Sequence, residues 1–447
     1  MNKEKLDDGF LYGTAIAATQ NEGYLKNSWT QWEKMRPIPQ SGFTTALWTN
    51  FDFYLKRLIE LKSNSFRLSI EWSRIEPEDD CYDYEALNKY KSWIIKLKEN
   101  GIEPIVTLHH FTNPLWFENS GSWLRKDAIE KFTQFAGVVG NSLNGLVKYW
   151  ITFNEPLAYI AGGWLLGLRP PGEKFRICKF LKVMRAIEQT HIEVYKLLHE
   201  INPNSMVSIA KNMAEFKAAN DTFIENQFVK LGNYIYNDYF LNILTNNGLF
   251  EFPLLSFFIP CLGKLLCGIR NFFGNCQDYI DYIGLNHYNV VTITACEGFR
   301  LNKLFNISLI NPESNNPVNE LDFEVSFNSL STVLDRLKKY NLPILITENG
   351  TTQINNSNKI KAEYLKRNME IVRQKILKDG MDIRGYLWWT FVHNYEWESG
   401  YKPNFGLYDI NFKLLNELCE ENKPLTDDVI SINIAGEEFI KIAETYF

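Results

Sequence analysis

The chain alternates short apolar runs with longer segments of helical character. Most of the runs are continuously apolar, which is typical of parallel strands buried on both faces. The eight predicted strands are Phe10–Ala15, Ser65–Trp72, Glu103–His110, Lys148–Glu155, Met206–Asn212, Tyr282–Tyr288, Pro343–Gly350 and Arg384–Phe391. Eight β/α repeats predict a closed (β/α)8 TIM barrel, in which the carboxyl ends of the strands share one mouth. An open doubly wound sheet is the rival, but the chain lacks the glycine-rich phosphate loop that such a sheet normally carries.

The spacing of apolar residues predicts helices between the strands. Two apolar stripes are Leu87, Tyr90, Ile94 and Leu97, and Leu365, Met369, Val372 and Ile376. Such stripes indicate helices that pack one face on a core. Asn100-Gly101 predicts a left-handed stop for the first of these helices.

With 447 residues the chain exceeds the usual domain size, but barrels of this class run long, so we expect one catalytic domain over residues 1–447. Two segments interrupt the alternation. An apolar excursion is predicted at about 250–275, and a polar loop at about 307–324 precedes a helix predicted at about 326–340.

The core of the apolar excursion is residues 254–273. Pro260, Lys264 and Arg270 interrupt this run, which argues against a membrane span. A packed excursion between the fifth and sixth strands is the favoured interpretation. An exposed apolar patch, contact with a membrane surface and a lid are the alternatives.

Charge and cysteine usage restrict the partners and the compartment. The net charge of −6 gives no reason to expect nucleic acid or an anionic membrane as partner. The N-terminus has no apolar signal-like run, and the seven cysteines form no CxxC pair, so a cytoplasmic protein with reduced thiols is predicted. The sequence does not specify an oligomeric state.

Two strings place a glutamate where a predicted strand ends: Thr-Phe-Asn-Glu-Pro at 152–156 and Ile-Thr-Glu-Asn-Gly at 346–350. Glycoside hydrolysis requires two carboxyl groups, and retaining enzymes use one as nucleophile and the other as acid and base. Glu155 and Glu348 are therefore the candidates. Either one alone could equally be an ion-pair partner or a helix cap.

Residues near these glutamates have suitable chemistry. Asn154 could bind a sugar hydroxyl, and Tyr288 could hold a nucleophile by its phenol. Asn286, two residues before Tyr288, is a further candidate for substrate binding. Arg67 lies inside an apolar strand, where a buried cation needs an anion, either a catalytic carboxylate or a structural partner.

The last predicted strand continues into an aromatic string that contains Trp389, Glu396 and Trp397. Glu396 could accept hydrogen bonds from two sugar hydroxyls while an indole stacks on the ring. A plain aromatic core explains the tryptophans equally well.

Taken together, these strings resemble glycoside hydrolase family 1, the retaining β-glucosidase-type family of (β/α)8 barrels. The likeness runs from Phe10-Leu11-Tyr12-Gly13-Thr14-Ala15 to Asn404-Phe405-Gly406-Leu407-Tyr408. It implies a β-glycoside as small-molecule substrate and no cofactor or metal. It also implies that Glu155 is the acid/base and Glu348 the nucleophile.

The same resemblance implies roles for the surrounding residues. It makes Tyr288 and Arg67 supports of the nucleophile. The sugar-binding positions that it implies are Gln20, His110, Asn154, Trp389, Glu396 and Trp397.

The chain departs from the family pattern at Phe111, Leu157, Phe323 and His393, where other residue types are usual. These departures leave the carboxylates intact but weaken an expectation of ordinary cellobiose specificity. Members that act on 6-phosphosugars replace the glutamate at position 396 and carry a Ser-x-Lys-x-Tyr site. Because this chain keeps Glu396 and spaces Ser399 and Lys402 differently, an unphosphorylated sugar is favoured.

Three functions are therefore weighed. The leading one is a retaining exo-β-glycosidase that hydrolyses an unphosphorylated glycoside. A transglycosidase would use the same covalent intermediate with another acceptor. A catalytically silent protein that binds sugars or glycolipids is the third, although both carboxylates are present.

Overall fold

A computed structural model describes residues 5–7, 9–245, 278–295, 305–308, 314 and 316–447, with the backbone alone for 295 and 305–308. The strands in chain order are β1 Leu11–Ala15, β2 Ser65–Ser69, β3 Glu103–His109, β4 Tyr149–Asn154, β5 Met206–Ala218, β6 Ile283–Ala295, β7 Phe305–Ser308, β8 Ile344–Asn349, β9 Ile383–Trp389, β10 Tyr408–Ile410 and β11 Ile430–Ile432.

Eight parallel strands close into a barrel in the order β1, β2, β3, β4, β5, β6, β8, β9. The pairing of β1 with β9 completes the ring. The additional strand β7 lies antiparallel along β6, while β10 and β11 form a separate antiparallel pair. The predicted closed (β/α)8 barrel is confirmed.

Helices follow the barrel strands and cover their outer side. Those in the described residues are α1 Ala18–Asn21, α2 Ser28–Lys34, α3 Phe51–Glu60, α4 Trp72–Ile75, α5 Tyr84–Glu99, α6 Leu115–Asn119, α7 Ala128–Ser142, α8 Pro156–Trp164, α9 Ile177–Ile201, α10 Phe223–Gly232, α11 Tyr239–Leu244, α12 Ser329–Leu337, α13 Lys359–Leu377, α14 Phe412–Glu420 and α15 Ile434–Tyr446. A π-helical turn at Asn233–Asp238 joins α10 to α11.

Two apolar layers explain why the strands are apolar on both faces. The barrel interior packs a small cluster that includes Leu11, Ile105, Ile151 and Leu345. A much larger cluster fills the space between the barrel and its helices. Strands that contact both layers expose no face to water, which produces continuous apolar runs.

The predicted helical stripes face the outer layer. Tyr90, Ile94 and Leu97 of α5 are buried, as is Leu365 of α13. After α5, Gly101 has φ +71°, and the amide of Ile102 donates back to the Leu97 carbonyl. The predicted left-handed stop is confirmed, because glycine adopts that conformation without a Cβ clash.

Some predicted bounds were wrong. Trp72 does not end a strand but begins α4, and β5 and β6 each extend several residues beyond their predicted ends. Both long strands continue past the barrel ring and still pair with each other. Apolar patterning could not predict this, because the pairing partner comes from a distant part of the chain.

The apolar excursion at 250–275, with its core at 254–273, lies outside the described residues. The polar loop predicted at 307–324 is wrong at its start, because Ile307 and Ser308 belong to β7. Within the described ranges, no helix is long and apolar enough to cross a bilayer.

Candidate active site

Glu155 stands at the junction between β4 and α8. Its backbone is left-handed, with φ 43° and ψ 57°, and Pro156 follows at the first helical position. The Glu155 amide donates to the Ala210 carbonyl of β5 at 2.7 Å, which holds the junction against the neighbouring strand. A non-glycine residue in this region is strained, and such strain is common where a side chain must be aimed into a site.

The Glu155 carboxylate accepts hydrogen bonds from two neutral amides. Asn286 Nδ2 donates to Oε1 at 3.0 Å, and Asn212 Nδ2 donates to Oε2 at 3.1 Å. Asn286 is itself oriented by Thr347, whose hydroxyl donates to its Oδ1 at 2.7 Å. The carboxylate thus has two donors that carry no charge.

Glu348 has a different environment. The guanidinium of Arg67 forms an ion pair with its Oε1, and the Tyr288 hydroxyl donates to its Oε2 at 2.6 Å. Burial raises the pKa of Glu348 to about 7, and the Arg67 charge and the Tyr288 hydrogen bond oppose that rise. The negative charge of Glu155 raises it further, so the two carboxyl groups influence each other.

Arg67 connects the two carboxylates through Asn154. Its Nη2 donates to Asn154 Oδ1 at 2.7 Å, and its Nε donates to Thr107 Oγ1 at 2.9 Å. Asn286 Nδ2 also donates to Asn154 Oδ1, at 3.1 Å. The guanidinium is fully buried, and these partners together satisfy the cation inside the barrel.

His110 is hydrogen-bonded to the Nδ2 group of the Asn154 amide. Asn154 Nδ2 lies 3.2 Å from His110 Nε2, so Nε2 accepts and Nδ1 carries the proton in this network. Burial and the Arg67 charge hold the pKa of His110 well below its usual range, which keeps the ring neutral. Nδ1 is buried and has no hydrogen-bond partner in the described part of the chain.

Glu396 and Trp389 form a second polar pair. Trp389 Nε1 donates to Glu396 Oε1 at 3.0 Å. Burial raises the pKa of Glu396 to about 8, and the charge of Glu348 adds to this rise. Gln20 donates its Nε2 to the Tyr395 carbonyl at 2.8 Å, while its buried Oε1 has no partner among the described residues.

One cavity of about 300 Å³ brings most of the predicted site residues together. Its predicted lining residues are Gln20, His110, Asn154, Glu155, Tyr288, Glu348, Trp389, Glu396 and Trp397. The other two predicted residues, Arg67 and Asn286, stand behind this lining and contact the carboxylates.

Sequence reasoning missed several residues of this cavity. Asn212 binds Glu155, and its position at the end of a predicted strand could have suggested a role. Arg169 lines the cavity from the segment after α8, with its guanidinium carbon 4.4 Å from the Phe111 ring centroid. No sequence signal marks Arg169, because it lies in an irregular segment.

The four departures from the family pattern divide into two groups. Phe111 and Phe323 line the cavity. Leu157 is buried within α8, and His393 Nε2 pairs with the Tyr401 carbonyl at 3.0 Å; neither is among the lining residues. Only the first two are therefore placed to alter specificity directly.

Comparison with known proteins agrees with this architecture. The chain matches glycosyl hydrolase family 1 over residues 2–424. It is 27% identical to a 6-phospho-beta-galactosidase of Clostridium acetobutylicum, over 93% of this chain and 94% of that protein. It is 26% identical to Beta-glucosidase A of Acetivibrio thermocellus, over 97% of this chain and 100% of that protein.

A solved structure of a similar protein has the same fold. The beta-glycosidase from Pyrococcus horikoshii superposes with a TM-score of 0.83 at 27% identity, over 99% of this chain and 95% of that one. The chain belongs to glycosyl hydrolase family 1. Its membership makes it a glycoside hydrolase of the retaining β-glycosidase type.

Proposed function

We propose that this chain, as one catalytic domain, is an exo-β-glycosidase that hydrolyses an unphosphorylated β-glycoside. Glu348 acts as nucleophile and Glu155 as acid and base. The observation that supports this most directly is the difference between their donors. A cation and a phenol hold Glu348, whereas two neutral amides hold Glu155.

This difference supports a negative charge on Glu348 and a proton on Glu155 at the start of the reaction. A neighbouring cation favours the ionised form of a carboxyl group, so Arg67 keeps the charge on Glu348. Glu155 then carries the proton at the start of the reaction. Because a neutral Glu155 no longer raises the pKa of Glu348, the reactive protonation state also favours an ionised nucleophile.

The chemistry proceeds in two steps. Ionised Glu348 attacks the anomeric carbon while Glu155 protonates the departing oxygen, which leaves a glycosyl ester on Glu348. Glu155 has by then given its proton to the departing group, so it acts as a base and removes a proton from the incoming water. Water completes hydrolysis, and no cofactor takes part in this scheme.

Unpartnered groups around the cavity support sugar binding. Within the described part of the chain, Gln20 Oε1 is a buried acceptor without a partner and His110 Nδ1 is a buried donor without one. A monosaccharide presents hydroxyls that both donate and accept, so it can satisfy these groups together. Trp389 and Trp397 supply apolar surface beside them.

The charge of the cavity supports an unphosphorylated sugar. Four carboxyl-bearing residues line it, namely Glu155, Glu348, Glu396 and Glu398. Its one lining cation among the described residues is Arg169, which already pairs with Glu398 at 3.3 Å. A phosphate would enter this environment against like charge. The similarity to a 6-phospho-beta-galactosidase nevertheless makes a phosphorylated substrate the second candidate.

A panel of nitrophenyl β-glycosides tests the proposal, with gluco, galacto, fuco and 6-phosphogalacto members. We expect release from an unphosphorylated member, with the β-anomer of the sugar as the first product by NMR. First appearance of the α-anomer would contradict the mechanism. Faster release from the phosphorylated member would instead establish the second candidate. Added alcohol acceptors would reveal transglycosylation as glycoside products.

A further inference from the structure

Exposed apolar side chains gather on one segment at the mouth of the barrel. From the end of α8 to the first residue of α9, Leu166 is 54% exposed, Leu168 56%, Phe175 82% and Ile177 60%. We call these four residues the rim patch. Clusters of large exposed apolar side chains usually mark an interaction surface.

The fold holds the rim patch beside the active site. Its segment follows the carboxyl end of β4 through α8, and Arg169 of the same segment lines the cavity. The Leu166–Lys174 bridge and the hydrogen bond from the Phe175 amide to the Leu165 carbonyl, at 3.0 Å, join its two limbs. The apolar side chains therefore project from a braced turn.

The segment is basic although the chain is acidic. Residues 166–182 contain Arg169, Lys174, Arg176, Lys179 and Lys182 against one acidic residue, Glu173, a local charge of +4 in a chain of net charge −6. Glu173 is itself engaged by Lys179 at 2.6 Å. Lys174, Arg176, Lys179 and Lys182 are all exposed. Arg176 also lies 3.8 Å from Glu173, whereas Lys174 and Lys182 form no ion pair among the described residues.

A second exposed apolar group lies on the neighbouring loop. Phe223 is 76% exposed and Ile224 57%, at the start of α10, which follows β5. The rim-patch segment comes after β4 and this second group comes after β5, and these two strands are paired neighbours in the barrel.

We propose that the rim patch and its lysines bind the surface of an anionic lipid bilayer. Protruding apolar side chains among basic residues suit the boundary between acyl chains and head groups. Each Lys or Arg near such a surface contributes about 1 kcal/mol. The positive charge of this segment is complementary to anionic head groups. An acidic face of a second copy of the chain is the rival partner, which sedimentation velocity tests.

Bilayer contact would place the cavity mouth beside the lipid head groups. If the proposed glycosidase function also holds, the substrates that gain from this placement are β-glycosides with a lipid aglycone. This consequence rests on the proposed function, whereas bilayer binding does not.

Vesicle co-sedimentation of the whole chain tests the proposal, with phosphatidylcholine alone or mixed with phosphatidylserine. We expect binding to the mixed vesicles that weakens with added salt. Phe175→Ser with Ile177→Ser should weaken it at least about tenfold, since both lose apolar area that the bilayer would cover. Lys174→Gln with Lys182→Gln should weaken it about thirtyfold, because two lysines at about 1 kcal/mol each contribute about 2 kcal/mol.

The matched control is Ile59→Ser with Leu377→Ser. Both residues are exposed and apolar, but they end α3 and α13, at the opposite end of the barrel. This control should bind like the parent, and all three double variants should release nitrophenol from a soluble glycoside at the parental rate.

Other results would overturn the proposal. These are absence of binding to either vesicle, equal loss in the control, or a rim-patch variant that changes only the self-association of the protein in sedimentation velocity. Vesicle binding without glycoside release would leave this inference standing and contradict the proposed function instead.

Discussion

At the scale of single residues, the two carboxylates differ in what holds them. Arg67 and Tyr288 contact Glu348, whereas Asn212 and Asn286 contact Glu155. Arg67 also donates to Asn154 Oδ1, which accepts a second hydrogen bond from Asn286, so the buried cation is linked to the Glu155 carboxylate only through these two amides. Because a cation stabilises the ionised form of its partner, these donors support Glu348 as the nucleophile and Glu155 as the acid and base.

Glu348→Gln removes the nucleophile while keeping a similar shape. We expect turnover of a nitrophenyl glycoside to fall by at least about a thousandfold. Far-ultraviolet circular dichroism should stay unchanged. Glu363→Gln, on the outer face of α13 where Glu363 pairs with Arg367, is the control and should retain full activity. Near-normal turnover by Glu348→Gln would contradict the assignment.

Tyr288→Phe removes a donor that lowers the pKa of Glu348. That pKa should therefore rise, and the acidic limb of the kcat/KM profile should move to higher pH because more of the nucleophile is protonated. Tyr54→Phe removes a buried hydroxyl that donates to the Thr45 carbonyl, away from the carboxylates, and it should leave the limb in place. A shift toward lower pH in Tyr288→Phe would show that the phenol does not stabilise the ionised form.

At the scale of elements, the sequence predicted those features that depend on local pattern. The eight strands, the stripe of α5 and the glycine stop after it follow from apolar spacing and backbone preference. The long ends of β5 and β6 and the start of β7 do not, because each depends on pairing with a remote strand. Arg169 could not be predicted either, because its irregular segment reaches the cavity only in the folded barrel.

The helix stripe of α13 allows a matched test of packing. Leu365 is fully buried, whereas Leu377 of the same helix is 41% exposed. Leu365→Ala should lower the free energy of unfolding by about 2–5 kcal/mol, because it loses buried area and leaves a cavity. Leu377→Ala should change it by less than about 0.5 kcal/mol. Urea unfolding measures both, and equal effects would contradict the assigned helix face.

At the scale of the whole molecule, buried histidines link stability to pH. Burial lowers the pKa of His109, His191 and His287 to about 4. Their unfolded pKa is about 6.5. Below that value the unfolded chain binds protons that the folded chain does not. Their contribution to stability is therefore present above about pH 6.5 and is lost as pH falls toward 4.

His191→Gln isolates one of these contributions. His191 lies between the Thr152 hydroxyl and the Tyr279 carbonyl, and Gln can satisfy such partners without titrating. Between about pH 7 and about pH 5, the loss of unfolding free energy should be smaller by about 2 kcal/mol in the variant than in the parent. If urea titrations gave the same loss of unfolding free energy for the variant and the parent, the pKa of His191 would not be lowered by burial.

The barrel explains why residues from distant parts of the chain meet. Glu155 follows β4 and Glu348 is the penultimate residue of β8, while Asn286 lies within β6 and pairs with Glu348 across the sheet. The sequence could predict that meeting from strand ends alone. It could not predict the Arg67–Asn154 contact, because side-chain direction inside the barrel depends on the register between strands.

The most direct test of the account is capture of the covalent intermediate. A fluorosugar whose glycosyl ester hydrolyses slowly should inactivate the protein and add one sugar to it. After proteolysis, mass spectrometry should find that sugar on Glu348, and Glu348→Gln should acquire none. A label on Glu155, or turnover without any trapped ester, would contradict the central claim that Glu348 attacks and Glu155 transfers the proton.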